Sequence, residues 1–252
     1  MTTNQRIGFG KKIRLDWLIV ALRSRARSIP FPDVCDELSL LIAETNPGRV
    51  AISKALSNIR QVVFEPIPVC ADFAERGVTL YRQNGAIAAL PVLWGLSITS
   101  YSFFSQTAST IGRLLRLQEQ FSAHEMVRRL TERVGDRRYV DRVARYNLSS
   151  LINWGILRYT LSDKMYRFST FQYINDAETV AWLYEALLRS IDRSALPIQQ
   201  VLAHPMLFPF KIEAPASAKI VKANSNLVIN RQNLDDEHLS LASSAGNDPN
   251  LI

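Results

Sequence analysis

The spacing of apolar residues along the chain predicts a protein built mainly of amphipathic helices. Over the first hundred residues, apolar positions recur at intervals of three and four, which is the period of one helical face. The pattern is interrupted at Pro30, Pro47, Pro66 and Gly85, where helices are expected to end. Together these segments predict an N-terminal helical bundle over residues 1–105.

Shorter elements are predicted after residue 170. Asp176 is placed to cap a helix that runs through Ile191, and Pro197 to open a shorter one, so residues 171–212 are expected to hold C-terminal helices. Residues 218–223 and 227–231 are predicted to be two short strands of a small β-hairpin. Residues 213–252 are therefore assigned to this hairpin and a disordered tail. Asp, Ser, Gly and Asn dominate from residue 233 onward, and the last dozen residues are predicted to be disordered.

The segment between these parts, residues 106–170, carries three more predicted helices. Ser122 followed by Glu125 matches a capping box, which predicts the start of the second helix. Gly135 and Asp136 form the predicted turn, and Gly155 is expected to end a third helix that spans about 137–153. The apolar side of the first helix is expected to consist of Ile111, Leu114, Leu115 and Leu117.

The third of these helices has two distinct faces. Polar positions spaced by four, three and four residues are predicted to share one face. They are Arg138, Arg142, Arg145 and Ser149. The opposite, apolar stripe consists of Val140, Ala144, Leu148, Leu151 and Ile152. Two short runs, residues 156–160 and 165–169, follow and predict a second β-hairpin with its turn at 161–164.

This order of elements resembles the winged helix-turn-helix superfamily over about a quarter of the chain. The resemblance implies that the third helix enters the major groove of DNA and that the hairpin contacts the phosphate backbone. The layout of the whole chain also resembles the BrxA-type accessory proteins of bacterial BREX phage-defence islands, in which a winged-helix-like unit ends with a run such as residues 152–157, Ile-Asn-Trp-Gly-Ile-Leu. That resemblance implies a non-enzymatic DNA-binding role in defence, although this chain is longer and its C-terminal hairpin has no counterpart there.

The distribution of charge favours the same interpretation. Residues 112–170 hold twelve basic and six acidic residues, and residues 1–28 hold seven basic residues against one acidic. The formal net charge of the whole chain is +7, so the remainder is acidic overall and the basic blocks indicate an anionic partner. Double-stranded DNA is the partner we expect. The candidate DNA-binding residues are Arg128, Arg129, Arg137, Arg138, Arg142, Arg145, Ser149, Arg158, Lys164 and Arg167.

A basic helix face also has a simpler explanation. Charged faces are common where a helix meets water, and Asp136 and Asp141 are available to pair with the arginines. The excess of basic residues, the apolar phase of all three helices and the position of the hairpin favour DNA binding instead. Winged helices also serve as protein-interaction modules, so that role stays open.

The sequence lacks the motifs of several common enzyme classes. It has no Gly-rich loop ending in Gly-Lys-Ser/Thr and no Gly-x-Ser-x-Gly elbow. Its three histidines and two cysteines share no metal-ligand spacing. We therefore expect a protein that is not an enzyme and that holds neither a cofactor nor a metal.

One uncharged stretch raises the question of a membrane. Residues 86–104 carry no charge and are nearly long enough to span a bilayer. Pro91 and a second half rich in Ser and Thr favour a buried helix that passes into a polar connector, with a membrane span as the alternative. Cys35 and Cys70 are expected to be buried thiols, and the N-terminus has no uninterrupted apolar stretch, so the cytoplasm is the expected location.

These observations predict a non-enzymatic DNA-binding protein that uses a winged helix, as an accessory component of a BREX-like phage-defence system. Under this hypothesis other subunits of a defence complex are further partners, and no membrane is involved. The alternatives are a scaffold subunit that binds a larger partner enzyme and a transcriptional repressor.

Overall fold

The computed structural model describes residues 9–135, 139–191, 193, 195–213, 216–231 and 237–242. Most of this part of the chain is helical, which confirms the mainly α fold class. The helices are α1 (Leu15–Ala26), α2 (Phe31–Ala43), α3 (Arg49–Ile59), α4 (Ala71–Asn84), α5 (Ala86–Ser100), α6 (Ser102–Leu117), α7 (Ala123–Val134), α8 (Val140–Asn153), α9 (Ala177–Ser190), α10 (Ile198–Leu202) and α11 (Ser217–Ala223). The strands are β1 (Gln120–Ser122), β2 (Leu157–Thr160), β3 (Met165–Phe168), β4 (Gln172–Ile174), β5 (Ala195–Pro197), β6 (Phe210–Ile212), β7 (Leu227–Arg231) and β8 (Glu237–Leu241).

One hydrophobic core runs through the described residues, and α5 lies at its centre. Residues 91–100 are all buried, so most of the uncharged stretch is enclosed by the rest of the protein, as predicted. Tyr101 separates α5 from α6, and α6 continues across the predicted boundary at residue 105. Within the ranges that the structure describes, no helix is both long and apolar enough to cross a membrane.

Helices α4, α5 and α9 approach one another closely around Trp182. Its indole lies parallel to Phe73 with ring centroids 4.3 Å apart, and its Nε1 donates a hydrogen bond to the Phe73 carbonyl oxygen at 3.0 Å. A Cβ atom added to Gly77 would come within 2.6 Å of this ring, and one added to Gly95 within 2.2 Å. The two glycines therefore allow α4 and α5 to lie directly against the indole.

The strands form three small sheets. The first has the order β1-β3-β2, the second pairs β4 with β6 in parallel, and the third has the order β5-β8-β7. The first sheet includes the predicted hairpin of residues 156–169, with β1 added at its edge. The parallel pair β4–β6 joins the segment after this hairpin to the segment after α10.

The predicted C-terminal hairpin is only partly correct. The pattern predicts a strand over 218–223, and this is wrong because the segment belongs to α11. Ala218, Lys219 and Lys222 are strong helix formers, and within α11 only Ile220 is fully buried, whereas alternate positions of a half-buried strand would face the core. The second predicted strand is present as β7, but it pairs with β8.

The segment before α1 lies against the C-terminal half of α8. The N–H of Ile13 donates to Ser150 Oγ at 2.9 Å, and the N–H of Leu15 donates to Asn153 Oδ1 at 2.8 Å. Trp154 Nε1 donates to the carbonyl oxygen of Ile13 at 3.0 Å. These bonds fix α8 to the helical bundle through one side and leave its opposite side available to solvent.

Candidate nucleic-acid interface

Six consecutive elements form the unit around α8: α6, β1, α7, α8, β2 and β3. β1 pairs with β3, so a strand from between the first two helices completes the hairpin sheet. The predicted cap of α7 is confirmed, because Ser122 Oγ accepts a hydrogen bond from the N–H of Glu125 at 3.1 Å. The Glu125 carboxylate itself accepts from Gln118 Nε2 at 2.8 Å and from Arg129 Nη2 at 3.2 Å.

The buried side of α8 matches the predicted apolar stripe with one exception. Ile152 is 36% exposed, so its assignment to the stripe is wrong. Each residue advances a helix by about 100°, so Ile152 lies about 100° around α8 from the buried Leu151 and outside the buried arc. Leu117 is also misassigned: it is 74% exposed because it is the last residue of α6, where the chain leaves the helix. The stripe residues that are buried as predicted are Val140, Ala144, Leu148 and Leu151.

The exposed side of α8 carries two arginines. Arg142 and Arg145 are exposed and Ser149 is half-buried, and their spacing of three and four places them on one face. Arg145 Nε donates to Asp141 Oδ1 at 2.9 Å, and this hydrogen bond raises the pKa of Arg145. Arg142 has no acidic partner in the part of the chain that the structure describes. The predicted site residues Arg137 and Arg138 lie outside the described residues.

One face of the hairpin is aromatic and lies on the side of α8. Tyr159 and Tyr166 are register partners with ring centroids 4.8 Å apart, and Phe121 of β1 stacks on Tyr166 at 5.6 Å. Burial raises the pKa of the Tyr166 hydroxyl, and the nearby Arg145 cation lowers it in part. Arg145 and this aromatic face are therefore neighbours.

The other face of the hairpin carries Arg158 and Arg167. These two residues are also register partners, one position away from the tyrosine pair. Because side chains alternate across a strand, both arginines lie on the sheet face opposite Tyr159 and Tyr166. The structure therefore does not bring Arg158 and Arg167 onto the surface that Arg142 and Arg145 form.

The tip of the hairpin is organised by a charged pair. Asp163 Oδ2 accepts from Arg167 Nη2 at 2.5 Å, and Asp163 Oδ1 accepts from the N–H of Met165 at 3.1 Å. The bond from Arg167 holds the pKa of the Asp163 carboxyl below its usual value. Lys164, exposed beside this pair, has a positive φ of 56°. Arg167 therefore stabilises the turn that presents Lys164 to solvent.

Several of the predicted site residues are paired with acids on their own element. Arg128 donates to Glu132 at 2.6 Å and Arg129 donates to Glu125 at 3.2 Å, each one helical turn apart. The Arg128–Glu132 pair is exposed, and exposed pairs are weak, so an incoming phosphate can replace its carboxylate. The Arg129–Glu125 pair is half-buried. Predicted site cations without an acidic partner in the described ranges are Arg142, Arg158 and Lys164.

The N-terminal basic block is less available than its composition suggests. Among the described residues, three of its arginines form ion pairs, and two of these pairs reach other helices of the bundle. Arg25 additionally donates to the carbonyl oxygen of Val63. Three of these cations are therefore already paired with carboxylates of the protein. The pairs are Arg14–Asp16, Arg23–Glu37 and Arg25–Glu75.

Three arginines that were not among the candidate residues form a second basic group, which we name the arginine cluster: Arg113, Arg116 and Arg133. Burial lowers the pKa of Arg113, and the cations of Arg133 and Arg116 lower it further. None of the three has an acidic partner in the described part of the chain. The helical spacing of Arg113 and Arg116 is visible in the sequence, but the approach of Arg133 depends on how α7 packs on α6.

His204 lies beside the arginine cluster. Its Nδ1 accepts a hydrogen bond from the N–H of Met206 at 3.2 Å, so the neutral ring carries its proton on Nε2. Burial lowers the pKa of His204 to about 4, and the positive charges of Arg113, Arg116 and Arg133 contribute to that shift. The imidazole is therefore uncharged at neutral pH.

This shift should make the stability of the protein fall as the pH falls from about 6.5 toward about 4. In that window the unfolded chain protonates His204 and the folded protein does not, so protons favour unfolding. The loss can be measured from denaturation midpoints at about pH 7.5 and about pH 5, which lie on either side of the ordinary His pKa of about 6.5. His204→Asn should lose less between the two pH values, because its Oδ1 can still accept from Met206 but does not titrate. Equal losses in both proteins would contradict this origin of the pH dependence.

Groups of three or more metal-ligating side chains are absent from the ranges that the structure describes. Comparisons with protein-family models, curated proteins and solved structures found no match to this chain. The functional proposal therefore rests on the geometry and charge of the unit formed by α6, β1, α7, α8, β2 and β3.

Proposed function

We propose that the protein binds double-stranded DNA, with this unit acting as a winged helix-turn-helix. One observation carries the proposal: α8 exposes Arg142 and Arg145 on one face while its opposite face is buried in the core. The order helix, strand, helix, helix, strand, strand, with the sheet order β1-β3-β2, supports the winged-helix assignment. In this assignment α8 is the recognition helix and the β2–β3 hairpin is the wing.

The geometry suits the major groove. A groove about 12 Å wide admits one α-helix, and α8 presents its arginines on the side that packing leaves open. Arg142 and Arg145 would contact guanine edges or phosphates, and Ser149 would follow along the same face. Lys164, at the tip of the wing, would contact the phosphate backbone.

The ion pairs within the unit do not prevent this role. The exposed pairs of Arg128 and Arg145 with acids one turn away contribute about 0.2–1 kcal/mol each. An arginine that leaves its carboxylate can form charge-assisted hydrogen bonds of the same kind with phosphate, and each neutralised phosphate also releases counterions. Exchange of carboxylate for phosphate is therefore favourable at low salt and should weaken steeply as salt rises.

A place for this DNA binding in a BREX-like defence system is proposed from the resemblance of the layout of the chain, and of residues 152–157, to BrxA-type proteins. The scaffold alternative requires no salt-sensitive affinity for DNA, so a binding measurement separates it from both the defence role and a repressor role.

The proposal predicts a specific effect of Arg142. Mobility-shift titrations of the full chain on short duplexes should show binding that weakens with salt. Replacing Arg142 with alanine should cost about 1–3 kcal/mol of binding free energy if it contacts a guanine, and less if it contacts only phosphate. Lys164→Gly, which suits the positive φ of the wing tip, should weaken binding to all sequences and lower the salt slope by about 1.

Arg49→Ala is the matched control. Arg49 is exposed at the start of α3 in the helical bundle, so its removal deletes the same charge outside the proposed interface. Arg25 is unsuitable because its guanidinium bonds Glu75 and the Val63 carbonyl oxygen. Equal losses for Arg142→Ala and Arg49→Ala on every duplex would reject α8 as the recognition helix, and binding insensitive to salt would reject the proposal as a whole.

A further inference from the structure

A cavity of about 300 Å³ lies between α6, the end of β3 and the segment from α10 to β6. This volume is at the lower end of the range for small-molecule sites. The rings of Phe168 and Phe171 are 4.1 Å apart, and the Phe208 ring meets Phe168 edge-on at 6.1 Å. The residues that line the cavity are mostly apolar, and Arg116 and His204 are the polar exceptions. The cavity is therefore shaped for an apolar body with a polar end.

The polar end of the cavity is positively charged. Arg116 lines it directly, and Arg116 belongs to the arginine cluster with Arg113 and Arg133. Three like charges near one another repel, and none of the three forms an ion pair with a carboxylate of the described residues. An anion at this end would replace that repulsion by attraction and would accept hydrogen bonds from the planar guanidinium of Arg116.

His204 adds a donor without adding charge. Its Nδ1 is occupied by the N–H of Met206, which leaves the Nε2–H of the neutral ring as a donor. No acceptor for this N–H occurs among the described residues. The combination of a guanidinium, an imidazole N–H and several phenylalanine rings selects for an aromatic group that carries a carboxylate.

We propose that this cavity binds a small aromatic carboxylate, with its ring among Phe168, Phe171 and Phe208 and its carboxylate on Arg116. Arg113 and Arg133 attract the anion from farther away. The site is formed by elements other than the exposed face of α8, and it does not rest on the proposed DNA binding. Phe168 is the last residue of β3, so an occupant would contact the end of the wing.

Titration calorimetry of the full chain with 1-naphthoate tests the proposal. 1-Naphthylmethanol has the same ring system without the charge, and it should bind at least about tenfold more weakly, because the hydrogen bonds to a charged group are lost. Arg116→Gln should weaken 1-naphthoate by about the same factor and leave 1-naphthylmethanol unchanged. Arg49→Gln, which removes a charge at the start of α3, should change neither affinity.

A variant that fills the cavity provides a second test of the proposal. Leu202→Trp places a larger side chain in the wall and should abolish binding of both probes, with a thermal melt to verify folding. If that variant does not fold, Arg116→Gln still decides the question, because Arg116 is exposed and its removal leaves the core intact.

Absence of 1-naphthoate binding, equal affinities for the two probes, or an unchanged affinity in Arg116→Gln would each overturn the proposal. Octanoate binding as tightly as 1-naphthoate would overturn the aromatic preference. DNA enters none of these measurements, so their failure is distinct from failure of DNA binding.

Discussion

Replacing Glu185 with alanine is expected to lower the free energy of unfolding by about 3–5 kcal/mol, because the change removes the buried partner of two cations. Glu185 lies in the middle of α9 and is fully buried. Its Oε1 accepts from Arg76 at 2.6 Å and from Arg189 Nε at 2.7 Å. Its Oε2 accepts from Asn224 Nδ2 at 2.7 Å, which ties the end of α11 to α9. Alanine would leave all three donors without this acceptor.

Chemical denaturation at neutral pH measures this loss, with two companion variants. Glu185→Gln keeps the volume but not the charge, so it should lose nearly as much if the carboxylate, and not the space it fills, is what stabilises the fold. Glu178→Ala removes an exposed carboxylate from the first turn of the same helix and should have a much smaller effect. Similar losses for Glu178→Ala and Glu185→Ala would show that the buried position of Glu185 has no special importance.

Gly95→Ala is expected to cost about 3 kcal/mol, at the upper end of the range for overpacked cores. Without a clash, alanine in a helix interior would stabilise the fold by about 0.5–1 kcal/mol over glycine. The expected loss of stability therefore comes entirely from the clash of the added Cβ with its neighbours. The added Cβ would lie 2.2 Å from Cζ3 of Trp182 and 3.3 Å from the Cβ of Ala186. The indole cannot move away easily, because Phe73 stacks on it and Gly77 contacts it from α4.

A double-mutant cycle tests whether the clash with the indole is the cause. Trp182→Phe has a shorter ring, so Gly95→Ala should cost much less in that background than in the original protein. Gly10→Ala is the control, because a Cβ there meets nothing within 4 Å. The same cost for Gly95→Ala with and without Trp182 would show that the indole is not the obstacle, and so would an effect of Gly10→Ala of similar size.

The helices of this protein and many of their ends follow from local sequence. Ser122 and Asp176 cap α7 and α9 as predicted, since a side-chain oxygen near a free backbone N–H needs only its own neighbours to bond it. Gly155 follows α8 with a φ of 73°, a conformation that a residue without Cβ adopts readily. Arg142 and Arg145 share the exposed face of α8 for a similar reason, because the helical period places them there once the apolar stripe is buried.

The strands and their partners follow much less from sequence. Apolar and polar residues alternate only weakly over residues 218–223. The pattern predicts a strand there, yet the segment forms α11, and β7 pairs with β8 instead. β1, β4, β5 and β6 have only three residues each, too few for a periodic pattern to identify. Each of these strands exists because a segment distant in sequence supplies its hydrogen bonds. The packing of the helices decides which segment comes to lie beside it.

By itself, the amino-acid sequence determined the mainly helical fold, the helix caps and the position of the basic face on α8, because these depend on interactions within a few residues. Only the tertiary structure decided that Arg158 and Arg167 lie on the sheet face away from α8, since that depends on the register of β2 with β3. It likewise decided that Arg113 and Arg116 lie beside Arg133 and His204, far along the chain. Such placements arise from side chains distant in sequence packing into one core, and no local periodicity encodes which of them will meet.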